Sequence, residues 1–148
     1  VWTFESNTEK TAITRRAPSA PARQLNKMGL LKGKMLDYGC GKGFDAEFYG
    51  MDKYDCYFEP EKPDEAYDTI IAVYVLNTIF PEEVETIVRD IQGFLKDEGI
   101  AYLAVRRDIK REGFTQRRTY QWTVVLNLPV VYENTRFCIY QLRKGDIL

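Results

Sequence analysis

Histidine is absent from the 148 residues. Its absence removes the usual imidazole base and the commonest metal ligand, and leaves proton transfer to carboxylates, tyrosines or lysines. Hydrolysis through a Ser-His-Asp triad or a histidine-bound zinc is excluded. Cysteine is scarce: Cys40, Cys56 and Cys138 are odd in number and widely spaced, which suits neither a disulfide framework nor a CxxC metal site and reads as reduced thiols. Long apolar runs are missing too. The longest, Ile70-Ile71-Ala72-Val73-Tyr74-Val75-Leu76, falls far short of the ~20 residues of a membrane-spanning helix. The start, Val1-Trp2-Thr3-Phe4-Glu5, has neither the basic region nor the apolar stretch of a secretion signal, and a cytoplasmic location is expected.

A large net charge is also lacking, but the balance of −1 hides an asymmetry. Seven basic residues and no acidic one lie between Lys10 and Lys34 (Lys10, Arg15, Arg16, Arg23, Lys27, Lys32, Lys34). Between Arg106 and Arg118, six basic residues (Arg106, Arg107, Lys110, Arg111, Arg117, Arg118) outweigh Asp108 and Glu112. If the two stretches meet in space they form a face that attracts phosphate; solvated surface is the alternative. Arg15, Arg16, Arg106 and Arg107 are the candidates to clamp a phosphate or carboxylate of a substrate bidentately.

With 45% hydrophobic and 14% aromatic side chains, the chain can bury one core and is too short for two ordinary domains. Residues 1–18 show no helical or strand period and read as an irregular arm or lid, leaving 19–148 as a single domain. Ser19 before Ala20-Pro21 reads as a helix start with Leu25 and Met28 inward. Lys34-Met35-Leu36-Asp37-Tyr38 reads as a first strand, a short helix follows around Asp45 to Tyr49, and Asp55-Cys56-Tyr57-Phe58-Glu59 reads as a second strand closed by Pro60. Asp68 to Val75 is a third, buried strand. Val84, Ile87, Val88, Ile91, Phe94 and Leu95 then share one face of a helix that begins at Pro81 and is stopped by Gly99. Ile100 to Val105 is a further strand, and Tyr120 to Leu126 with Arg136 to Leu142 read as a closing antiparallel pair. Strands alternating with helices predict a three-layer α/β Rossmann-like sandwich with a mainly parallel sheet.

Gly39, Gly41 and Gly43 follow the first strand directly, where missing Cβ atoms permit a tight turn and close approach of backbone N–H groups to a ligand. The spacing is Gly-x-Gly-x-Gly, so the Gly-x-Gly-x-x-Gly dinucleotide fingerprint is not met, and Lys42 followed by Gly43 excludes a P-loop. Glu59, twenty residues beyond Gly39, is placed to accept hydrogen bonds from ribose hydroxyls at the end of the second strand. Together these features describe a nucleoside site.

Met35-Leu36-Asp37-Tyr38-Gly39-Cys40-Gly41-Lys42-Gly43 resembles the first motif of class I S-adenosyl-L-methionine (AdoMet) dependent methyltransferases. The resemblance implies AdoMet as cofactor, held by Asp37, Tyr38, Gly39, Cys40, Gly41 and Gly43, with Asp37 positioning its amino group and Glu59 holding the ribose. Ala72-Val73-Tyr74-Val75-Leu76-Asn77 is similar to the family's fourth motif region, which implies that Val75 and Leu76 border the cofactor. Tyr74 and Asn77 are the candidates to orient the methyl acceptor, and packing or backbone bonding is the other reading of each. Lys10-Thr11-Ala12-Ile13-Thr14-Arg15, the glycine loop, Val75-Leu76-Asn77-Thr78-Ile79 and Ala104-Val105-Arg106 resemble, in order, methyltransferases associated with DNA phosphorothioation, which implies a link to nucleic acid. Phe58-Glu59-Pro60 departs from the Asp-Pro of that pattern.

Only eight residues separate Glu59 from Asp68, where the full family fold has a helix, a strand and another helix. The sheet is therefore expected to be reduced at one edge, and the acid that commonly contacts adenine has no counterpart beyond Asp64 or Glu65. Asn-Pro-Pro-Tyr, Asp-Pro-Pro-Tyr and a Pro-Cys pair are all absent, so a standard DNA base methylase is not expected. Methylation of an unidentified acceptor, nucleic acid or another phosphate-bearing molecule, is the expected activity. The alternatives are a non-catalytic module binding AdoMet or S-adenosylhomocysteine as sensor or subunit partner, and a nucleic-acid-binding domain in which the glycine loop is structural.

Overall fold

The computed structural model of the protein describes residues 5–148. Val1–Phe4, and with them the start of the arm and most of the segment read for a secretion signal, lie outside the described residues. Among the described residues no helix is long and apolar enough to cross a membrane.

Four parallel strands form one side of a six-stranded sheet: β1 (Met35–Tyr38), β2 (Asp52–Tyr54), β3 (Tyr67–Val73) and β4 (Leu95–Arg106). Two antiparallel strands, β7 (Val130–Glu133) and β8 (Phe137–Arg143), complete it in the order β2-β1-β3-β4-β8-β7. The remaining strands, β5 (Gly113–Phe114) and β6 (Tyr120–Gln121), make a separate antiparallel ribbon. Alternating side chains of the buried strands supply two cores. Leu36, Ile70, Ala72 and Leu103 face α3 (Val84–Gly93), which presents Val84, Ile87, Val88 and Ile91 to them. Ile71, Tyr102, Ala104 and Ile139 face α1 (Ala20–Lys27) and α2 (Phe44–Tyr49), packing against Leu25 and Ala46. The result is the expected three-layer α/β sandwich, built on the period-two alternation of strands covered on both faces.

Local chemistry sets the element ends. Ser19 caps α1 by accepting from the Ala22 N–H, and Asp45 accepts from both the Ser19 N–H (2.7 Å) and the Ser19 hydroxyl (2.6 Å), which ties α1 to α2. The helix after Pro81 stops at Gly93 rather than continuing towards Gly99. Gly99 lies inside β4, where a Cβ would sit 2.6 Å from the Tyr67 carbonyl oxygen. It allows the register shift of β4 against β3.

Two strand assignments are corrected. The second strand is Asp52–Tyr54, not Asp55–Glu59. The Asp55 carboxylate accepts from the Tyr57 and Phe58 N–H groups and the Asp55 and Glu59 backbones pair, so the aromatic run folds into a tight turn. The closing hairpin is β7 with β8, while the 120–126 run contributes only β6 and then continues over the core without regular structure, its Trp122 indole donating to the Leu76 and Ile79 carbonyls. From the turn at Glu59 the chain runs to β3 with no further strand. The sheet therefore ends at β2, the reduced edge expected from the short interval.

The described part of the arm has order of its own. A 3-10 turn, Thr8–Thr11, is pinned by the Tyr120 N–H to the Ser6 carbonyl (3.0 Å), by the Asn7 amide to the Arg118 carbonyl (2.6 Å) and by the Thr8 hydroxyl to that of Thr78 (2.7 Å).

Candidate functional site

The strand order reverses between β1 and β3, since the chain leaves β1 for β2 on one side and returns to β3 on the other. Crevices of this kind, outside the carboxyl ends of the strands, are where open α/β sheets bind ligands. A cavity of about 410 Å3 occupies this position, a size in the roughly 300–1,000 Å3 range of small-molecule sites. All four parallel strands reach it at their C-terminal ends: Asp37 and Gly39 from β1, Asp55 after β2, Val73 and Tyr74 from β3, and Arg106 from β4. Among the described residues no cluster suited to a metal ion is present.

Gly39, Gly41 and Gly43 all have positive φ (74°, 55° and 86°), a conformation that costs other residues roughly 1–2 kcal/mol. The loop is anchored to β2 from below: the Gly39 and Cys40 N–H groups donate to the Tyr54 carbonyl, and the Gly41 N–H donates to the Asp55 carboxylate at 2.8 Å. From above it meets the arm, with Ala12 so near that a Cβ on Gly41 would lie 3.2 Å from its methyl group, and with Lys42 donating to the Thr14 hydroxyl.

Two carboxylates stand beneath the loop. Asp37 is 3% exposed and Asp55 is 6% exposed. Burial above all, and then the charges of Asp45 and Asp55, raise the Asp37 carboxyl well above the ordinary carboxylate range, while Arg15 acts against them. A cationic amine arriving in the cavity would relieve this. Burial, with Asp37 and Asp55 nearby, likewise pushes the Cys40 thiol far up, and Cys56 rises to about 12. Neither thiol is a nucleophile at neutral pH.

The Tyr74 side of the cavity is basic: Arg106 and Arg136 line it, Arg15 acts on both Tyr74 and Asp37, and all three arginines act to lower the Tyr74 hydroxyl, which burial raises. Arg106 also pairs with Asp108 at 2.8 Å, and that bond holds the Asp108 carboxyl below its usual value. Tyr74 itself has φ 60°, a left-handed backbone for a bulky residue and the kind of local strain that collects at functional sites. Asn77 is fully buried; its amide donates to Gln121 at 3.0 Å, which leaves Oδ1 without a partner.

Of the residues singled out from the sequence, Asp37, Gly39, Cys40, Gly41, Gly43, Tyr74, Val75, Asn77, Arg15 and Arg106 come together around this cavity. Others lie elsewhere. Tyr38 points to the opposite face of β1 from Asp37, where its hydroxyl donates to Asp90 (2.6 Å) and its ring packs edge-on against Tyr54 and Phe94. Leu76 is in the α3-side core. Arg16 is exposed beside the cavity rather than in it. Arg107 alternates away from Arg106 and is engaged by Glu133, the Val124 carbonyl and the Tyr140 hydroxyl. Glu59 is outside the cavity, 3.9 Å from Lys53. Asp55 takes the position at the end of β2 that the sequence reading gave to Glu59. Asp64 and Glu65 are exposed, and Glu65 pairs with Lys34. Asp55, Glu9, Gln121 and Arg136 line the cavity without having been anticipated.

No protein-family profile matches the chain, and no curated protein matches it. Solved structures do. TehB from Haemophilus influenzae superposes with a TM-score of 0.63 at 14% identity, over 97% of this chain and 68% of that one. The 1,6-didemethyltoxoflavin-N1-methyltransferase of Burkholderia thailandensis, determined with 1,6-didemethyltoxoflavin and S-adenosylhomocysteine bound, gives 0.62 at 16% identity over 86% and 78%. A DhpI complex with S-adenosylhomocysteine gives 0.54 at 15% identity over 82% of each chain. By these likenesses, the chain has the Rossmann-like fold of class I AdoMet-dependent methyltransferases.

Proposed function

We propose that this chain is an AdoMet-dependent methyltransferase whose acceptor carries an anionic group. The observation that carries the reading is the glycine turn at the mouth of the cavity, backed by two buried carboxylates: three consecutive alternate glycines with positive φ stand over Asp37 and Asp55. These residues fit the cofactor. Asp37 would hold its ammonium group, the charge that this buried carboxyl lacks. Asp55 would accept from the ribose hydroxyls, and Arg15, coupled to Asp37, is the cation suited to the methionine carboxylate. AdoMet bound there would supply an activated methyl group for in-line transfer to the acceptor's nucleophile, with S-adenosylhomocysteine as the thioether leaving group and the acceptor's proton lost to solvent.

The chain's own part is positioning. Arg106 and Arg136 give the acceptor end two cations, suited to a phosphate or carboxylate, nucleic acid included. The Asn77 amide, fixed by Gln121, offers its free Oδ1 to an N–H or O–H of the acceptor. The Tyr74 ring, held by its strained backbone at the end of β3, walls the acceptor end.

The test is transfer from methyl-labelled AdoMet to a panel of nucleic acids, nucleotides and small organic phosphates and carboxylates, followed by mass spectrometry. A methylated anionic product is expected. Arg106→Ala and Arg136→Ala should raise KM for that acceptor and leave cofactor affinity in place. Turnover only on neutral or cationic acceptors would refute the assignment of the arginines. Tight cofactor binding with no product across the panel would favour a non-catalytic module.

A further inference from the structure

We propose that Glu9, on the 3-10 turn Thr8–Thr11, is the carboxylate that accepts the exocyclic amine of adenine in this cavity, so that the N-terminal segment selects the base. The inference rests on the cofactor reading above.

An adenosyl group brings three polar parts into a site: the ribose hydroxyls, the ring nitrogens and the amine on the six-membered ring. Asp55 serves the first. Between Cys56 and Val73 no residue lines the cavity, because the chain passes from the turn after β2 straight to β3. The sheet edge therefore offers nothing to the base beyond Cys56, and an acceptor for the amine must come from another element.

Glu9 meets that need. It lines the cavity, and its charge is among those that push the Cys56 thiol up, which places it on the side of the residue that directly follows Asp55. Its Oε2 is sealed from solvent and has no hydrogen-bond partner. A buried polar oxygen left in that state carries an uncompensated desolvation cost, larger when charged. An N–H donor arriving with the ligand removes that cost. The turn is also pre-positioned rather than loose: Thr8 is 5% exposed and bonded to Thr78, and Ser6 and Asn7 are tied to the β5–β6 ribbon side. Asn77 Oδ1 is likewise unpartnered, but it sits after β3 beside Gln121, the side assigned above to the acceptor. A carboxylate accepts and does not donate, so it favours an amine at this position of the ring and disfavours a carbonyl.

The experiment is calorimetric titration of S-adenosylhomocysteine and S-inosylhomocysteine, which differ in that amine and carbonyl, into the full wild-type chain, Glu9→Gln and Glu9→Ala, each checked for folding by circular dichroism. Wild type should prefer the adenosyl compound by about tenfold or more. Glu9→Gln keeps the side-chain volume and can turn its amide to donate, so the preference should narrow or invert. Glu9→Ala should lose the preference by weakening adenosyl binding. An unchanged preference in both folded variants overturns the proposal, as does an equal loss of both ligands, which would make Glu9 a ribose contact. Failure of the cofactor reading shows differently, as no binding of S-adenosylhomocysteine by the wild type.

Discussion

Replacing Asp55 by asparagine tests stability and binding at one atom. In the wild type, Oδ1 accepts from the Tyr57 and Phe58 N–H groups at 2.9 and 3.1 Å, and Oδ2 accepts from the Gly41 N–H at 2.8 Å. Asparagine keeps an oxygen for the turn and sets an amide NH2 against the Gly41 N–H, donor facing donor. The bond lost is to a charged acceptor, worth about 1.5–3 kcal/mol. Removing the charge also relieves Asp37, but burial is the largest cause of the Asp37 shift and Asp55 a smaller one, so the hydrogen bond decides the sign. A net loss of about 2 kcal/mol lowers Tm by about 4–8 °C for a domain of this size. The ribose hydroxyls lose a charged acceptor as well, which weakens S-adenosylhomocysteine by about 10–100-fold. Thermal melts followed by circular dichroism and calorimetric titration below both transitions measure the two effects. An unchanged Tm together with unchanged affinity would refute the account of the glycine loop and of the ribose site at once.

Glu59→Ala should leave S-adenosylhomocysteine affinity within about twofold of wild type, because this exposed side chain has only a distant pairing with Lys53 to lose; a loss as large as that of Asp55→Asn, measured by the same titration, would restore Glu59 to the site. The Asp37 carboxyl is raised in the folded chain, so it binds a proton that the unfolded chain has already released: the stability it contributes is full below its unfolded value near 3.8 and is lost as pH rises through the folded value. Asp37→Asn should therefore stabilise the ligand-free protein at neutral pH and flatten that slope in denaturant titrations across pH; lower stability at pH 7 would contradict it. Iodoacetamide at pH 8 should leave Cys40 and Cys56 unmodified in the native protein, since both thiols are raised far above that pH, and rapid alkylation followed by mass spectrometry would show the reverse. Ile87→Ala, which opens a void on the fully buried face of α3, should cost about 2–5 kcal/mol in denaturant unfolding; a cost below about 1 kcal/mol would mean that α3 does not close that core.

The parts legible in the sequence are those with local causes. The glycine loop follows its strand within one turn, the Ser19 cap and Pro21 begin a helix by their own chemistry, and the apolar spacing of Val84, Ile87, Val88 and Ile91 needs no partner to be recognised. The parts missed depend on bonds that composition does not show. The run from Asp55 to Glu59 has strand-like content, yet the Asp55 side chain binds the backbone two and three residues ahead and curls it into a turn. That one bond pattern moved the acid at the end of β2 by four positions. Likewise, in the Tyr120 to Leu126 run Trp122, Val124 and Leu126 pack on the core while Val125 is exposed, with Trp122 bonded to backbone beyond β3, so the run has strand-like content without pairing as a long strand. Arg136 and Glu9 reach the cavity from opposite ends of the chain, and no periodicity marks such a meeting.

The most direct test is calorimetric titration of S-adenosylhomocysteine into the wild-type chain and into Asp37→Asn at neutral pH. The account predicts one equivalent bound by the wild type and binding weakened at least about tenfold in the variant, although that variant is the more stable of the two. No binding by the wild type, or equal binding by both, would contradict a cofactor site built on Asp37 and the glycine loop.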